Sequence, residues 1–466
     1  MTAQSEPPPR PLTGGAVMSA ASRVTVAVTG AAATILIARL LGPDGSGGYV
    51  IAQTLIALLT VATTLGVEHG IAYYVSSGRW AAPSAYRSAR RVALVTGVAG
   101  AGLGVLARLL IPAAFGGLSV ATTAVAAGAL PFVLSWFYFT YVALAIDRYE
   151  AYALPPALQS AAALVLVAVL GTTLDLPGAV LGFSLAHVVT ALAVGVAARR
   201  TVSRASSATA GLAEQPGQLR RAIRFGVKGY AANALQFANY RLDVFVLAGV
   251  ASTAAVGQYS IAVATTSVMW LLPRSLADVL FPRIAALSAR ADGASEEARA
   301  FVETKSLRHT IVIVASSTVA LALALVLLIV PVYGAAFRPA IDLGLILLPG
   351  VALLAVSGTL SASFVGRGHP GYALAITLVT TPLTLVLYVL LIPPLHATGA
   401  ALASTISYSA TFVLCAVFYR RVTHAPVLSR LVPTRSELAD YRALAPAIAA
   451  WWRGLRARRS PARNGL

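Results

Sequence analysis

The stretch Gly47-Gly48-Tyr49-Val50-Ile51-Ala52 returns 210 positions later as Gly257-Gln258-Tyr259-Ser260-Ile261-Ala262. Further matches follow in the same order at growing offsets: Leu109-Leu110-Ile111-Pro112 with Leu327-Leu328-Ile329-Val330-Pro331 and Leu130-Pro131 with Leu348-Pro349 at 218, Tyr152-Ala153-Leu154 with Tyr372-Ala373-Leu374 at 220, and Gly178-Ala179 with Gly399-Ala400 at 221. Small insertions in one half of a duplicated chain produce such a growing offset. The ordered matches therefore predict two related halves.

The composition of the chain indicates that both halves lie in a membrane. Of the 466 residues, 58% are hydrophobic and only 11% are charged, and the mean hydropathy is +0.79. These values exclude an ordinary soluble domain. A helix needs about 20 apolar residues to cross the hydrocarbon core, and twelve runs meet this need: 16–40, 48–76, 89–112, 118–145, 152–173, 176–198, 222–249, 255–281, 308–333, 341–365, 371–392 and 398–420. The sequence predicts an all-α polytopic membrane protein with about twelve transmembrane spans.

The positive charge of the chain is concentrated in every second connection. The net charge is +19, which in a soluble protein would indicate a nucleic-acid partner. Here the basic residues follow the even-numbered spans: Arg79, Arg87, Arg90 and Arg91 after span 2, Arg148 after span 4, Arg199, Arg200, Arg204, Arg220, Arg221 and Arg224 after span 6, Arg283, Arg290, Arg299, Lys305 and Arg308 after span 8, Arg367 after span 10, and many in the tail. Because positive loops face the cytoplasm, both termini are predicted to be cytoplasmic, and no nucleic-acid partner is expected.

Five regions follow from this pattern. We expect a disordered cytoplasmic N-terminus at 1–15, a first lobe of six spans at 16–200, a cytoplasmic linker at 201–220, a second lobe of six spans at 221–421, and a basic cytoplasmic tail with an interfacial segment at 422–466. Six spans per lobe give both lobes the same orientation, with pseudo-symmetry about an axis along the membrane normal. Two repeated bundles are the usual build of an alternating-access transporter, with the site between them.

Span 7 carries a polar stripe. Asn233, Gln236, Tyr240 and Asp243 lie at i, i+3, i+7 and i+10, on one face of a continuous helix. Lipid cannot satisfy such groups, so the stripe faces either a water-filled cavity or a neighbouring helix. We expect cavity lining for Asn233, Gln236 and Tyr240, with hydrogen bonding between helices as the alternative.

Span 1 has a milder polar face, made by Ser22, Thr25 and Thr29, which are also predicted to line the cavity. Arg23 lies near the inner end of this span. Together with Lys228 and Arg274 it would place positive charge in the inner half of an inward-open cleft. Arginine offers bidentate geometry to phosphate, so these three residues are the candidates for binding a phosphate or diphosphate.

Acidic residues recur at equivalent positions of the two halves. Glu68 lies 210 positions before Asp278, and both fall in the inner half of their spans. Glu68, Asp243 and Asp278 are candidates for coupling to an ion gradient. Arg274 lies one turn before Asp278, so a local ion pair is the alternative for that residue.

No cofactor, metal site or reaction is predicted. Cys415 is the only cysteine, which rules out a cysteine-based metal site within one chain. There is no Gly-x-x-x-x-Gly-Lys-[Ser/Thr] loop to bind and hydrolyse ATP. A membrane-embedded glycan polymerase would usually present a large polar outer loop, whereas every predicted outer connection is short and nearly uncharged. We therefore expect a protein that is not an enzyme.

Three short motifs resemble one transporter family. The run Ser22-Arg23 … Ala38-Arg39-Leu40-Leu41-Gly42-Pro43 … Gly47-Gly48-Tyr49, the run Leu242-Asp243-Val244-Phe245-Val246-Leu247, and Phe281-Pro282-Arg283 are similar to the pattern of the Wzx-type polysaccharide flippases. These proteins belong to the multidrug/oligosaccharidyl-lipid/polysaccharide exporter superfamily. The resemblance extends over all twelve spans.

The resemblance implies two MATE-like lobes around a cationic central cavity. It implies a flippase that moves undecaprenyl-diphosphate-linked glycans from the inner to the outer leaflet of the bacterial cytoplasmic membrane, matching the interpretation of Arg23 and Arg274. Its partners would be the lipid-linked glycan, membrane lipids, and glycan polymerases or glycosyltransferases. Lipid II flippases have two additional helices, so twelve spans argue against that subfamily. The alternative is a cation-coupled multidrug antiporter of the same fold, although the intramembrane charge here is mainly basic.

Overall fold

The structure, a computed structural model, describes residues 12–205, 217–289 and 293–424. Within these ranges the regular structure is entirely helical and includes no strand. The α-helices are α1 Leu12–Thr64, α2 Val67–Ser76, α3 Ala82–Leu110, α4 Val120–Gly128, α5 Leu130–Ala145, α6 Tyr149–Ala205, α7 Gln218–Asn239, α8 Leu242–Val250, α9 Thr253–Ser267, α10 Leu271–Ser288, α11 Gly293–Tyr333, α12 Pro339–Gly366 and α13 Pro370–Thr423. Short 3-10 turns lie at Pro112–Phe115, Val268–Trp270 and Ala335–Phe337.

Among the described residues, eight helical stretches are long and apolar enough to cross a membrane. They are Met18–Thr64, Ala82–Leu110, Val120–Ala145, Tyr149–Val202, Thr253–Ser288, Glu296–Tyr333, Ala335–Gly366 and Pro370–Thr423. Lengths of 26 to 54 residues exceed the roughly 20 residues that one crossing needs. The prediction of a polytopic helical membrane protein is confirmed.

The three longest helices are each broken by a kink. The non-helical residues are Gly42 in α1, Leu174 and Asp175 in α6, and His396 in α13. Gly42 has a φ of 64°, a conformation that glycine adopts without the steric cost of a Cβ atom. Pro43 follows directly and cannot donate a helical hydrogen bond. The kinks lie where the sequence separates spans 1 and 2, 5 and 6, and 11 and 12.

The contacts within the chain define two compact units. The first comprises Met1–Val263, Leu325–Gly344 and Thr381–Ala403, and the second comprises Ala264–Ala324, Leu345–Thr380 and Ser404–Leu466. Each unit buries large side chains among its described residues. Large side chains that are fully buried include Trp80, Tyr138, Phe139 and Tyr259 in the first unit and Phe364 and Tyr419 in the second. The predicted lobes 16–200 and 221–421 stay a prediction.

Glycines allow the two sequence halves to approach closely inside the first unit. A Cβ atom added to Gly226 of α7 would overlap the carbonyl oxygen of Gly66, which precedes α2. One added to Gly47 of α1 would overlap the carbonyl oxygen of Thr253 in α9. Small residues let membrane helices pack backbone to backbone. The repeated glycine at 47 and 257 therefore has a packing role, because each lies against the other's helix.

Candidate functional site

A pocket of about 400 Å³ lies among α1, α5 and α6 in the first unit. Its lining combines one cation with hydroxyl groups and aromatic rings: Ser19, Ser22, Arg23, Trp136, Phe137, Thr140, Tyr141 and Tyr152. The indole nitrogen of Trp136 donates a 3.2 Å hydrogen bond to His187 Nδ1, which fixes the ring in the pocket wall. Arg23 is exposed and, in the described part of the chain, has no hydrogen bond or ion pair.

The polar face of α1 is largely used in contacts with α6. Ser22 Oγ donates to the carbonyl of Ala153 at 2.5 Å, and the hydroxyls of Thr29 and Ser160 are 2.5 Å apart. Thr25 is exposed and bonds to the Ala21 carbonyl of its own helix. Ser22 therefore both bonds α1 to α6 and lines the pocket, whereas Thr29 only bonds α1 to α6.

The polar stripe predicted on span 7 is interrupted. The helix breaks between α7 and α8, where Arg241 has a φ of −130°, so Asp243 does not continue the face begun by Gln236. Gln236 is exposed, and its side-chain nitrogen donates to the Tyr240 hydroxyl at 3.1 Å. The side chains of Lys228 and Asn233 lie outside the described part of the structure.

Asp243 is a buried carboxylate in the first turn of α8. Its side chain is 4% exposed. Oδ1 accepts a 2.8 Å hydrogen bond from the Val244 backbone N–H, and Oδ2 accepts a 2.6 Å bond from the Tyr259 hydroxyl. Tyr259 is the repeat counterpart of Tyr49, yet the sequence alone did not indicate that it would bond to Asp243.

Glu68 is buried where α2, α5 and α7 meet. It is 1% exposed, and its Oε1 lies 3.3 Å from Nδ1 of His69. Oε2 has no hydrogen-bond partner among the described residues. The His69 ring lies about 6 Å from the rings of both Tyr141 and Tyr230. Glu68, with one unsatisfied oxygen, therefore lies among aromatic rings beside the contact between Gly66 and Gly226. The sequence did not predict that Tyr141 and Tyr230 would lie here.

Arg274 and Asp278 lie in α10 of the second unit. Both side chains are exposed. In the described part of the chain neither takes part in a hydrogen bond or ion pair, so the local pair considered as the alternative is not formed. Asp278 is exposed, whereas Glu68, which occupies the equivalent position of the sequence repeat, is buried.

A buried ion pair of the second unit was not anticipated. Arg367, after α12, places Nε 2.7 Å from Glu303 Oε1 and Nη2 2.9 Å from Glu303 Oε2. Glu303 is 1% exposed and also accepts from the Tyr419 hydroxyl. Burial acts to lower the pKa of Arg367, but the hydrogen bonds and charge of Glu303 outweigh it and raise the pKa. This network joins α11, α12 and α13.

By sequence, residues 158–342 match the family model of the polysaccharide biosynthesis proteins. No curated protein matches the chain significantly. The matched region begins in α6, includes the Asp243 and Arg274 sites, and ends in α12. It therefore crosses from one sequence half into the other.

Solved structures with the same fold are membrane transporters. The lipid II flippase MurJ in an inward-closed conformation is 12% identical, with a TM-score of 0.69 and coverage of 89% of each chain. An inward-facing MATE family multidrug transporter of the MOP superfamily is 16% identical, with a TM-score of 0.65, over 86% of this chain and 94% of that one. The MATE multidrug transporter DinF-BH is 17% identical, with a TM-score of 0.58, over 90% and 96%.

The fold defines the chain as a helical membrane protein of the MATE and MurJ architecture. Together with the polysaccharide biosynthesis match, this confirms the resemblance to the Wzx-type flippases predicted from the sequence.

Proposed function

We propose that the chain is a flippase that moves lipid-linked oligosaccharide or polysaccharide precursors, carried on undecaprenyl diphosphate, from the inner to the outer leaflet by alternating access. One observation carries the proposal: the exposed Arg23 has no partner among the described residues and lies in a pocket lined by aromatic rings. A guanidinium without a counter-ion favours an anionic ligand. The polysaccharide biosynthesis match of residues 158–342 supports the same substrate class.

The membrane arrangement belongs to the proposal. Three of the eight candidate spans are divided by kinks, and α7 with α8 supplies one more crossing, which together give twelve. We place both termini in the cytoplasm of a bacterium and the chain in its cytoplasmic membrane, because the basic connections then face inward. The two lobes at 16–200 and 221–421 would rock about the substrate.

Arg23, Arg274 and Lys228 would bind the diphosphate. Paired with phosphate, such cations become less costly to bury than they are alone, so the loaded protein closes more readily than the empty one. Aromatic rings such as Trp136 and Tyr141 offer flat apolar surfaces to sugar rings, while the Ser22 hydroxyl and Gln236 amide offer hydrogen bonds. The polyprenyl tail would stay in the bilayer.

Closure at the inner end would use the glycine contact between α2 and α7. Gly66 and Gly226 lie there backbone to backbone, and the similar MurJ structure is an inward-closed one. Glu68 lies within two residues of this contact, so a change in its protonation would act on closure. We propose Glu68, Asp243 and Asp278 as the groups that couple transport to an ion gradient.

The partners would be the lipid-linked glycan itself, membrane lipids, and the polymerases or glycosyltransferases that use the same carrier. We assign no cofactor and no reaction to the chain, since transport of this kind needs no covalent step. The similar solved structures are transporters and a flippase.

Binding of undecaprenyl diphosphate to the purified full chain tests the proposal without knowledge of the glycan. Arg23→Gln should weaken binding about tenfold or more, because one charge-assisted hydrogen bond contributes about 1.5–3 kcal/mol. Arg338→Gln, which removes one exposed cation after α11, should leave the affinity unchanged. Equal affinities for wild type and Arg23→Gln would contradict the proposal.

A multidrug antiporter is the second candidate, favoured by the likeness to MATE transporters. The aromatic rings around Trp136 would suit an organic cation, but Arg23 in the same pocket would repel it. Energised vesicles that accumulate a cationic dye only with this protein, and that fail to bind undecaprenyl diphosphate, would select the antiporter.

A further inference from the structure

A second basic pocket lies between α3 and α5, apart from the Arg23 pocket. Its volume is about 440 Å³. Arg87, Arg90 and Arg91 line it from α3, and Pro131, Phe132 and Ser135 line it from α5. Positions 87, 90 and 91 are related by i+3 and i+4, so their side chains share one helix face. Three guanidinium groups therefore line one cavity.

Two of the three arginines have no carboxylate partner in the described part of the chain. Arg90 and Arg91 are exposed, and in the described part of the chain neither forms an ion pair with a carboxylate. The Arg90 guanidinium lies 6.0 Å from the centre of the Tyr86 ring. That contact orients the side chain without neutralising its charge. The charges of Arg90 and Arg91, which both line the pocket, are therefore available to an anion there.

The rest of the pocket is apolar. Leu94 and Phe132 line it and are 61% and 37% exposed. One turn beyond Ala93 and two turns beyond Arg90, Gly97 packs tightly against the backbone of Pro131, so α3 and α5 are in contact there. The site thus has a cationic end and an apolar wall. A small inorganic anion would contact only the cationic end.

We propose that this pocket binds the phosphodiester headgroup of an anionic phospholipid, with the acyl chains along Leu94 and Phe132. Under the orientation proposed above, the arginines lie at the inner boundary of the membrane, where anionic lipids attract basic side chains. Arginine suits the phosphodiester because its planar fork donates two parallel hydrogen bonds. The bound lipid would hold α3 and α5 together and would be distinct from the transported substrate.

Photo-crosslinking of the purified full chain in nanodiscs tests the site. The probe is a photoreactive phosphatidylglycerol, with the phosphatidylcholine analogue as the zwitterionic comparison. Labelled peptides should come from α3 and α5. Arg90→Gln with Arg91→Gln should lower this labelling about tenfold or more, since each charge-assisted bond accounts for roughly one factor of ten. Arg220→Gln with Arg224→Gln removes two exposed charges from α7, outside this pocket, and should leave the labelling at the wild-type level.

Two outcomes would overturn the proposal. One is equal labelling of α3 and α5 by phosphatidylglycerol and phosphatidylcholine, or in the two double variants. The other is that inorganic phosphate, added at the same concentration as the lipid probe, abolishes the labelling. That result would show that the pocket binds a free anion. Undecaprenyl diphosphate binding, measured on the same double variant, should stay at the wild-type level. This separates failure of the lipid site from failure of the proposed transport function.

Discussion

The hydroxyl of Tyr259 in α9 donates a 2.6 Å hydrogen bond to Oδ2 of Asp243 in α8, and both side chains are buried. A second bond, from the Val244 N–H, reaches Oδ1. Each carboxylate oxygen of Asp243 therefore has a donor, as a buried acidic group requires. The two residues lie in consecutive helices of the first unit, so the pair fixes the geometry of the α8–α9 connection.

Asp243→Asn should separate the charge of this residue from its structural role. The amide oxygen can still accept from one donor, and the Tyr259 hydroxyl can accept from the amide nitrogen, so the melting temperature should change by only a few degrees. If the carboxylate couples transport to an ion gradient, flipping should fall about tenfold or more. Asp342→Asn, at an exposed position of α12, is the matched control. Wild-type transport by Asp243→Asn would remove Asp243 from the coupling candidates.

Arg274→Ala should abolish transport at near-normal protein levels. The side chain is exposed and has no partner among the described residues, so its removal leaves no buried charge unpaired. Arg274→Lys should keep part of the activity, because charge remains while bidentate geometry is lost. Arg283→Ala, also exposed on α10, should transport normally. Persistent transport by Arg274→Ala would refute its role in binding the diphosphate.

Arg367→Gln should destabilise the protein without touching the proposed substrate site. It leaves Glu303, which is 1% exposed, without its bidentate partner, and breaking a buried pair in this way costs about 3–5 kcal/mol. Arg299→Gln breaks a pair with the exposed Glu296, for which about 1 kcal/mol or less is expected. Thermal unfolding in detergent should rank the two variants in that order. Equal melting temperatures would show that the buried pair contributes little.

Gly226→Leu should block the approach of α7 to α2, because an added Cβ atom would overlap the Gly66 carbonyl oxygen. Tyr73 and Phe225 stack with ring centres 4.5 Å apart beside this contact. Cysteines introduced at 73 and 225, with Cys415→Ser to remove the native thiol, should therefore be joined by a short bifunctional thiol cross-linker. Gly226→Leu should suppress the cross-link, and Gly102→Leu, where a Cβ atom meets nothing within 4 Å, should not. Cross-linking that persists in Gly226→Leu would contradict the assigned contact.

The kinks of the long helices could be anticipated because local signals mark them. Gly42-Pro43 combines a residue tolerant of positive φ with one that cannot donate a helical hydrogen bond, and the predicted spans change there. The breaks at Leu65–Gly66 and at Arg241 lie inside predicted spans 2 and 7. Hydropathy alone misses them, because each of the two runs is apolar enough overall to be counted as one crossing. The break at Arg241 explains why Asp243 leaves the predicted polar stripe.

The sequence could not predict which groups the polar side chains bond to. Glu303 and Arg367 are 64 positions apart, and no periodicity relates them; only the packing of α11 against α12 brings them together. The hydroxyls of Ser22 and Thr29, which were predicted to line a cavity, bond to α6, since a membrane helix satisfies such groups on its nearest neighbour. Ser22 also lines the Arg23 pocket. The composition of the chain was enough to predict that it lies in a membrane. Which polar groups remain free to bind a ligand depends on tertiary contacts, which the composition does not predict.

The most direct test of the flippase proposal is mass spectrometry of the lipid-linked saccharides in cells that lack this chain. The proposal predicts that a polyprenyl-diphosphate-linked glycan accumulates, that the wild-type chain restores the normal pool, and that Arg274→Ala does not. The accumulated species would also identify the glycan. An unchanged lipid pool together with new sensitivity to cationic drugs would contradict the flippase and favour the antiporter.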